Sequence, residues 1–144
     1  MTDKTVVGAV TAIASVVGGV SGISSAPTYP FETMNESPFA VTYPMNGGID
    51  IGPVGSKKQL VNIAIDVLTV RRDLATDLAV LEPFLDTVPA ALLAEMGTSG
   101  DIFSGTIDTF SGLRFEFLPD MNYGGVQMIG YRFIMENVKL LVSV

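Results

Sequence analysis

Residues 58–70, KQLVNIAIDVLTV, constrain this chain more than any other stretch. Val61, Ile63, Ile65, Val67 and Thr69 recur at period two and point one way, while Leu60, Asn62, Ala64, Asp66, Leu68 and Val70 point the other. The first set is apolar almost without a break, the signature of a strand with one face in a core. Such a strand needs partners for its backbone and a layer over its apolar face. Asp66 is the odd member of the second set: an acid in mid-strand is either solvated or paired across the sheet.

Two stretches can supply the covering layer. In VVGAVTAIASVVGGV, residues 6–20, Val6, Val10, Ile13, Val17 and Val20 step by three and four and share one helical face. Thr2 or Asp3 can cap its start. A secretory signal is the rival reading, but Met-Thr-Asp-Lys is nearly neutral, and the stretch falls short of the roughly 20 apolar residues that span a bilayer. Glycine and valine are poor helix formers, so packing must hold this helix. The second stretch begins at Asp73, a good N-cap, and carries Leu74, Leu78, Leu81 and Leu85 as an apolar stripe. Pro83 should bend or end it. A fresh start is expected at Asp86 or Thr87, with Pro89 near the first helical position, Leu92, Leu93 and Met96 on the apolar side, and Gly97 as the stop.

Elsewhere the texture is extended. Pro27, Pro30, Pro38 and Pro44 make residues 24–44 irregular, with one short strand at Phe39–Tyr43. Asn46-Gly47-Gly48 reads as a turn, and residues 49–55 as a loop or a poorly paired hairpin arm. Residues 24–57 thus form a Pro/Gly-rich arm. Beyond Ile102, Thr106–Phe110 reads as a short strand and Leu113–Leu118 as an alternating one, with Leu113, Phe115 and Phe117 opposite Arg114 and Glu116. Residues 119–125 read as a loop and 126–142 as one or two terminal strands. Strands cluster rather than alternate with helices. The expectation is a single α+β domain over residues 1–144: a mainly antiparallel sheet packed by an N-terminal helix and a bent central helix.

The search for chemistry yields little. The chain has no Cys, His or Trp, which removes disulfides, thiol chemistry, the usual zinc sites and the commonest general base. Ser56 beside Lys57 and Lys58 reads better as a polar loop entering a strand than as a Ser–Lys pair. Asp73 and Asp77 share a helix face, with Glu82 and Asp86 beyond, but acids there complement the helix dipole. Asp101 and Asp108 lie in no ligand loop. Neither glycine-rich segment matches a phosphate-cradling pattern. No catalytic residue, cofactor or metal ligand is assigned. The net charge of −7, with no basic run beyond Lys57-Lys58 and Arg71-Arg72, argues against gripping nucleic acid.

Composition points to assembly instead. Of the 144 residues, 48% are hydrophobic and 16% charged, against roughly 25% charged in an ordinary soluble domain. A chain this short has much surface to cover and few charges to cover it, so part of its apolar surface is expected to be hidden against other chains.

Residues 61–96, VNIAIDVLTVRRDLATDLAVLEPFLDTVPAALLAEM, run an apolar strand into Arg71-Arg72-Asp73-Leu74, a helix, Pro-Phe, Val-Pro and a second helical turn. With APTYPFETMNESPFAVTYP at 26–44 and FLPDMNYGGVQMIGYRF at 117–133, the chain resembles the tail terminator, or tail-completion, proteins of long-tailed bacteriophages. Pro38-Phe39-Ala40-Val41 and Tyr123-Gly124-Gly125-Val126-Gln127 are the strongest further pieces. The resemblance implies an α+β subunit of a six-fold ring in the virion neck, assembled in the host cytoplasm. That ring stops polymerisation of the tail-tube protein and offers its other face to the head-side connector. DNA only passes through the bore, no membrane is involved, and the partners are further copies, the tube and the connector. A closed ring needs two different patches per subunit. Arg71, Arg72 and Asp73 are expected at a subunit junction, with Pro38, Phe39, Tyr43, Gly47 and Gly48 from the arm; a salt bridge within one chain is the alternative for the first three. Rivals are a head-to-tail adaptor, a tube subunit and a small monomeric binding module.

Overall fold

The structure, a computed structural model, describes residues 5–28, 38–52, 56–96, 103, 106–123 and 125–142. The order is α1 (Val6–Gly18), β1 (Phe39–Ile51), β2 (Lys57–Val70), α2 (Leu74–Leu81), α3 (Phe84–Ala94), β3 (Gly112–Tyr123) and β4 (Val126–Val142). The four strands form one antiparallel sheet in the order β1-β2-β4-β3. The architecture is α+β.

β2 occupies the interior of the sheet as its pattern requires. Val61, Ile63, Ile65 and Val67 are buried beneath the helices with Phe133 and Met135 of β4. Val10, Ile13 and Val17 of α1, with Val20 just beyond its end, enter this core as their spacing predicts. The opposite face is not simply solvated: Phe39, Val41, Leu68 and Met128 form a second buried cluster there. Gly130 of β4 lets the backbones meet, since a Cβ there would run into Val67 O.

Two bulges lie at one level of the sheet. Met45 is the extra residue where β1 passes from Pro44–Ile63 pairing to Asn46–Asn62 pairing. On β4 an extra residue sits between Met135, opposite Ile63, and Val138, opposite Val61, where Asn137 adopts φ 53°. A polar row crosses the sheet here. Asn62 Nδ2 donates to Asn46 Oδ1 (2.7 Å), Asn137 N to Asn62 Oδ1 (3.0 Å), and Asn137 Nδ2 to Ser111 Oγ (3.0 Å). Bulges bend and twist a sheet, so this row is a crease: beyond it the end of β1 is exposed, while Val61, Val138 and Leu140 still belong to the core.

Several expectations need correction. Asn46-Gly47-Gly48 is not a turn, and of the two readings for residues 49–55 the hairpin arm, not the loop, holds for 49–51: β1 runs on to Ile51, with Gly48–Ile51 paired with Lys57–Leu60. The bulge and the Asn46–Asn62 bond hold a turn-prone sequence extended, and the hairpin closes later, where Gly52 N donates to Ser56 O (2.7 Å). Within the arm at 24–57, residues 39–51 and 57 are strand. Residues 24–28 lie along β1, with Ser25 bridging Phe39 in parallel, and 29–37 fall outside the described residues. Thr5, not Thr2 or Asp3, caps α1, accepting from Gly8 N (3.0 Å). Asp73 caps α2 as expected, but Leu74 is exposed and Asp77 is buried in its stead. The reason is a bond across the junction, Arg72 N to Asp77 Oδ2 (2.8 Å), which turns that face inward. Pro83 ends α2 and sits at the N-cap of α3, so α3 starts at Phe84, earlier than Asp86 or Thr87, and Pro89 lies inside it. Leu93 is exposed. Gly97 lies outside the described residues. Thr106–Phe110 gives only a single bridge, Thr109 to Lys139. Residues 119–123 belong to β3, not a loop, and residues 126–142 form one strand.

Candidate assembly surfaces

One charged row is built into the middle of the sheet, on the face away from the helices. Asp66 is fully buried, and it is paired rather than solvated. Arg132 of β4 meets it with Nε 2.8 Å from Oδ1 and Nη2 3.2 Å from Oδ2, and Tyr43 Oη donates to Oδ2 (2.8 Å). Glu116 of β3 lies 3.5 Å from Arg132 Nη1. The Asp66 carboxylate, through its hydrogen bonds, holds the Arg132 guanidinium far more firmly protonated than usual, against the opposing effect of burial. Tyr43, Asp66, Arg132 and Glu116 thus tie all four strands together. Buried pairs of this kind serve specificity of pairing more than net stability.

The residues expected at a subunit junction are placed as follows. Arg71 and Arg72 are exposed, and among the described residues neither guanidinium makes an ion pair; only their backbones are fixed, Arg71 N to Gln127 O (3.0 Å) and Arg72 N to Asp77. Asp73 Oδ2 accepts from Thr76 Oγ1 (2.8 Å) and Thr76 N (3.1 Å), bonds that hold its carboxyl below the ordinary range. Among the described residues the expected intrachain salt bridge is not formed, and the two arginines are exposed. Pro38 is half-buried, and its carbonyl accepts from Ser24 N (2.8 Å). Phe39 is wholly buried in the second cluster, so its side chain belongs to the interior of the chain. Tyr43 joins the charged row. Gly47 and Gly48 lie exposed on the arm, well separated from Arg71–Asp73, which sit at the far end of β2.

Val7 of α1, Leu74 and Val80 of α2 and Leu93 of α3 are uncovered apolar side chains on the helices, and on the outer strands of the sheet such side chains gather in two groups. On β1, Ile49 and Ile51 are 56% and 83% exposed; on β3, Phe115 and Phe117 are 56% and 43% exposed. Phe115 packs edge-on against Tyr131, and Phe117 leans on the same ring. Both groups face the helix side of the sheet: Phe115 and Phe117 share rows with Ile65, Phe133 and Val67 of the core, and Ile49 and Ile51 pair with Gln59 and Lys57, which alternate in step with buried Val61 on β2. They occupy opposite edges, since β1 and β3 are the outer strands. Segment 24–28 protects only the start of β1, and among the described residues no strand pairs with the outer edge of β3. Period-two alternation put Phe115 and Phe117 on one face, but it could not say that the helices stop short of them.

A groove of about 610 Å³ between α1 and α3 is lined mostly by small side chains such as Ser15, Thr87 and Ala91, with Glu95 at one side. Among the described residues there is no group of three His, Cys, Asp or Glu able to hold a metal, and no helix long and apolar enough to cross a membrane. The sequence matches no protein-family model and no curated protein.

Proposed function

We propose that this chain is a structural subunit that works by closing into a ring, of the tail-terminator kind its motifs resemble, ending a phage tail tube and joining it to the head-side connector. The observation that carries the reading is the pair of uncovered apolar patches at opposite edges of one sheet, Ile49 and Ile51 on β1, Phe115 and Phe117 on β3. A cyclic ring is built from heterologous contacts, each subunit offering one patch backward and a different one forward. Exposed edge strands bearing large apolar side chains are a hazard in a lone subunit and an asset in an assembled one. Arg71 and Arg72, exposed at the other end of β2 and without an ion pair among the described residues, supply polar contacts to a neighbouring ring or to the connector.

The test is the solution mass of the purified chain by light scattering, with negative-stain images of the same sample. Discrete rings of about six copies are expected. Long tubes would assign the chain to the tube itself, and a strict monomer at all concentrations would overturn the ring reading.

A further inference from the structure

Resting on the ring reading, we propose that the ring closes by strand addition. In this arrangement residues 46–51 of β1 pair antiparallel with residues 113–118 of β3 in the next copy, Ile49 opposite Phe115, so that one sheet continues from subunit to subunit.

Three properties of the two edges support this arrangement: the first sets the direction of pairing, the second its phase, and the third its register. The first is direction. β1, β2, β4 and β3 alternate, so β1 and β3 run oppositely. Copies related by rotation about an axis along the strands then set β3 of one antiparallel to β1 of the next, with the helix faces on the same side.

The second is hydrogen-bond phase. Gly52 N donates inward to Ser56 O, so the even-numbered residues of this stretch look inward, and Gly47, Ile49 and Ile51 direct N–H and C=O outward. Thr42, Ile65, Phe133 and Phe115 form one row of partners. Thr42 N donates outward to Pro27 O (3.2 Å), and the choice alternates along a row, so Phe115 likewise directs its backbone outward from β3. Ile49 and Phe115 can therefore exchange both of their bonds.

The third is the side chains. On the helix side the register sets Ile49 beside Phe115, Ile51 beside Leu113, and the bare Gly47 under the Phe117 ring. On the other side it sets Asp50 opposite Arg114, with Gly48 facing Glu116. Arg114 is held only loosely within its own chain, 3.8 Å from Glu116 and from Glu136, with its side chain 55% exposed. The limits of the pairing also fit. Segment 24–28 already covers β1 at residues 40–42, and Pro119 and the β3 irregularity between Leu118 and Met121 end the free stretch of β3.

The chain contains no cysteine, so cross-linking is clean. Asp50 and Arg114 would form a non-hydrogen-bonded pair, with Cα atoms about 4.5 Å apart and within disulfide reach. On mild oxidation, Asp50→Cys chains mixed with Arg114→Cys chains should give a covalent dimer that neither gives alone. The double variant should give a ladder ending at the ring's copy number, and Asp50→Cys with Glu116→Cys, two residues out of register, should not cross-link. Without cysteines, Asp50→Arg should shift the assembled fraction toward monomer, and adding Arg114→Asp should restore it. Rings by light scattering with no Asp50–Arg114 cross-link, or equal cross-linking in the shifted pair, would overturn the register and leave the ring standing. Neither rings nor cross-links would overturn both.

Discussion

Arg132 binds Asp66 side-on with two hydrogen bonds, 2.8 and 3.2 Å long, across the central strand pair of the sheet. The carboxylate is fully buried, so its charge is tolerable only while the guanidinium stays in place. Arg132→Ala should lower stability by about 3 kcal/mol, because it strands a buried charge. Adding Asp66→Ala should recover part of that loss. Urea midpoints for the two single variants and the double variant give the coupling directly; additive losses would show that the pair is not energetically linked.

Thr42 makes the opposite prediction. Its hydroxyl is fully buried, and among the described residues it has no hydrogen-bond partner. Thr42→Val should raise stability by about 1 kcal/mol, read from the shift in thermal midpoint. A loss would mean that the hydroxyl is satisfied in solution.

Gly130 tolerates no side chain. A Cβ would run into Val67 O and lie 2.7 Å from Leu68 Cδ2, within the β2–β4 pairing where backbone cannot yield cheaply. Gly130→Ala should cost about 2–3 kcal/mol in chemical denaturation.

Asp73 gives a pH signature. Hydrogen bonds from Thr76 set its folded pKa below the ordinary 3.8. Its contribution is then fully present above the unfolded value and is lost as pH falls through the lowered folded value. Asp73→Asn keeps a capping oxygen but carries no titrating charge. The variant's stability should fall less steeply than the parent's below about pH 4, measured as denaturation midpoints across that range.

The aromatic edge separates assembly from folding. Phe115→Ser with Phe117→Ser removes half-exposed rings that rest on Tyr131, so the single chain should lose about 1–3 kcal/mol and stay folded. The light-scattering mass should fall to that of one chain. Retention of the parent mass would remove β3 from the interface.

Much of the body was legible in the sequence because its rules are local and periodic. The period of β2 gave its inward face, the steps from Val6 to Val20 gave the buried face of α1, and Asp73 announced α2. Asp66 could be flagged as paired or solvated, but its partner Arg132 is 66 positions away, and no local pattern joins them. The arm misled for a physical reason. Asn46-Gly47-Gly48 has turn chemistry, and only pairing with β2, together with an extra residue at Met45, keeps it extended. Pro119 likewise suggested a loop, whereas an edge strand can carry a proline on its open side. Leu74 failed because burial of Asp77 rotated the helix face. The assembly surface was half visible: the alternation around Phe115 could be read, but exposure is a property of what lies above it.

The crease at Asn62 also keeps the sheet to a single count. β1 and β4 each carry one spare residue there while β2 runs through unbroken, so the inside–outside rhythm of the arm is set by β2 and its neighbours are brought back into step with it. Residues gained or lost in pairs near the hairpin tip would leave every core side chain facing as before. The reach of the arm is thus free to drift while the fold that carries it stays the same.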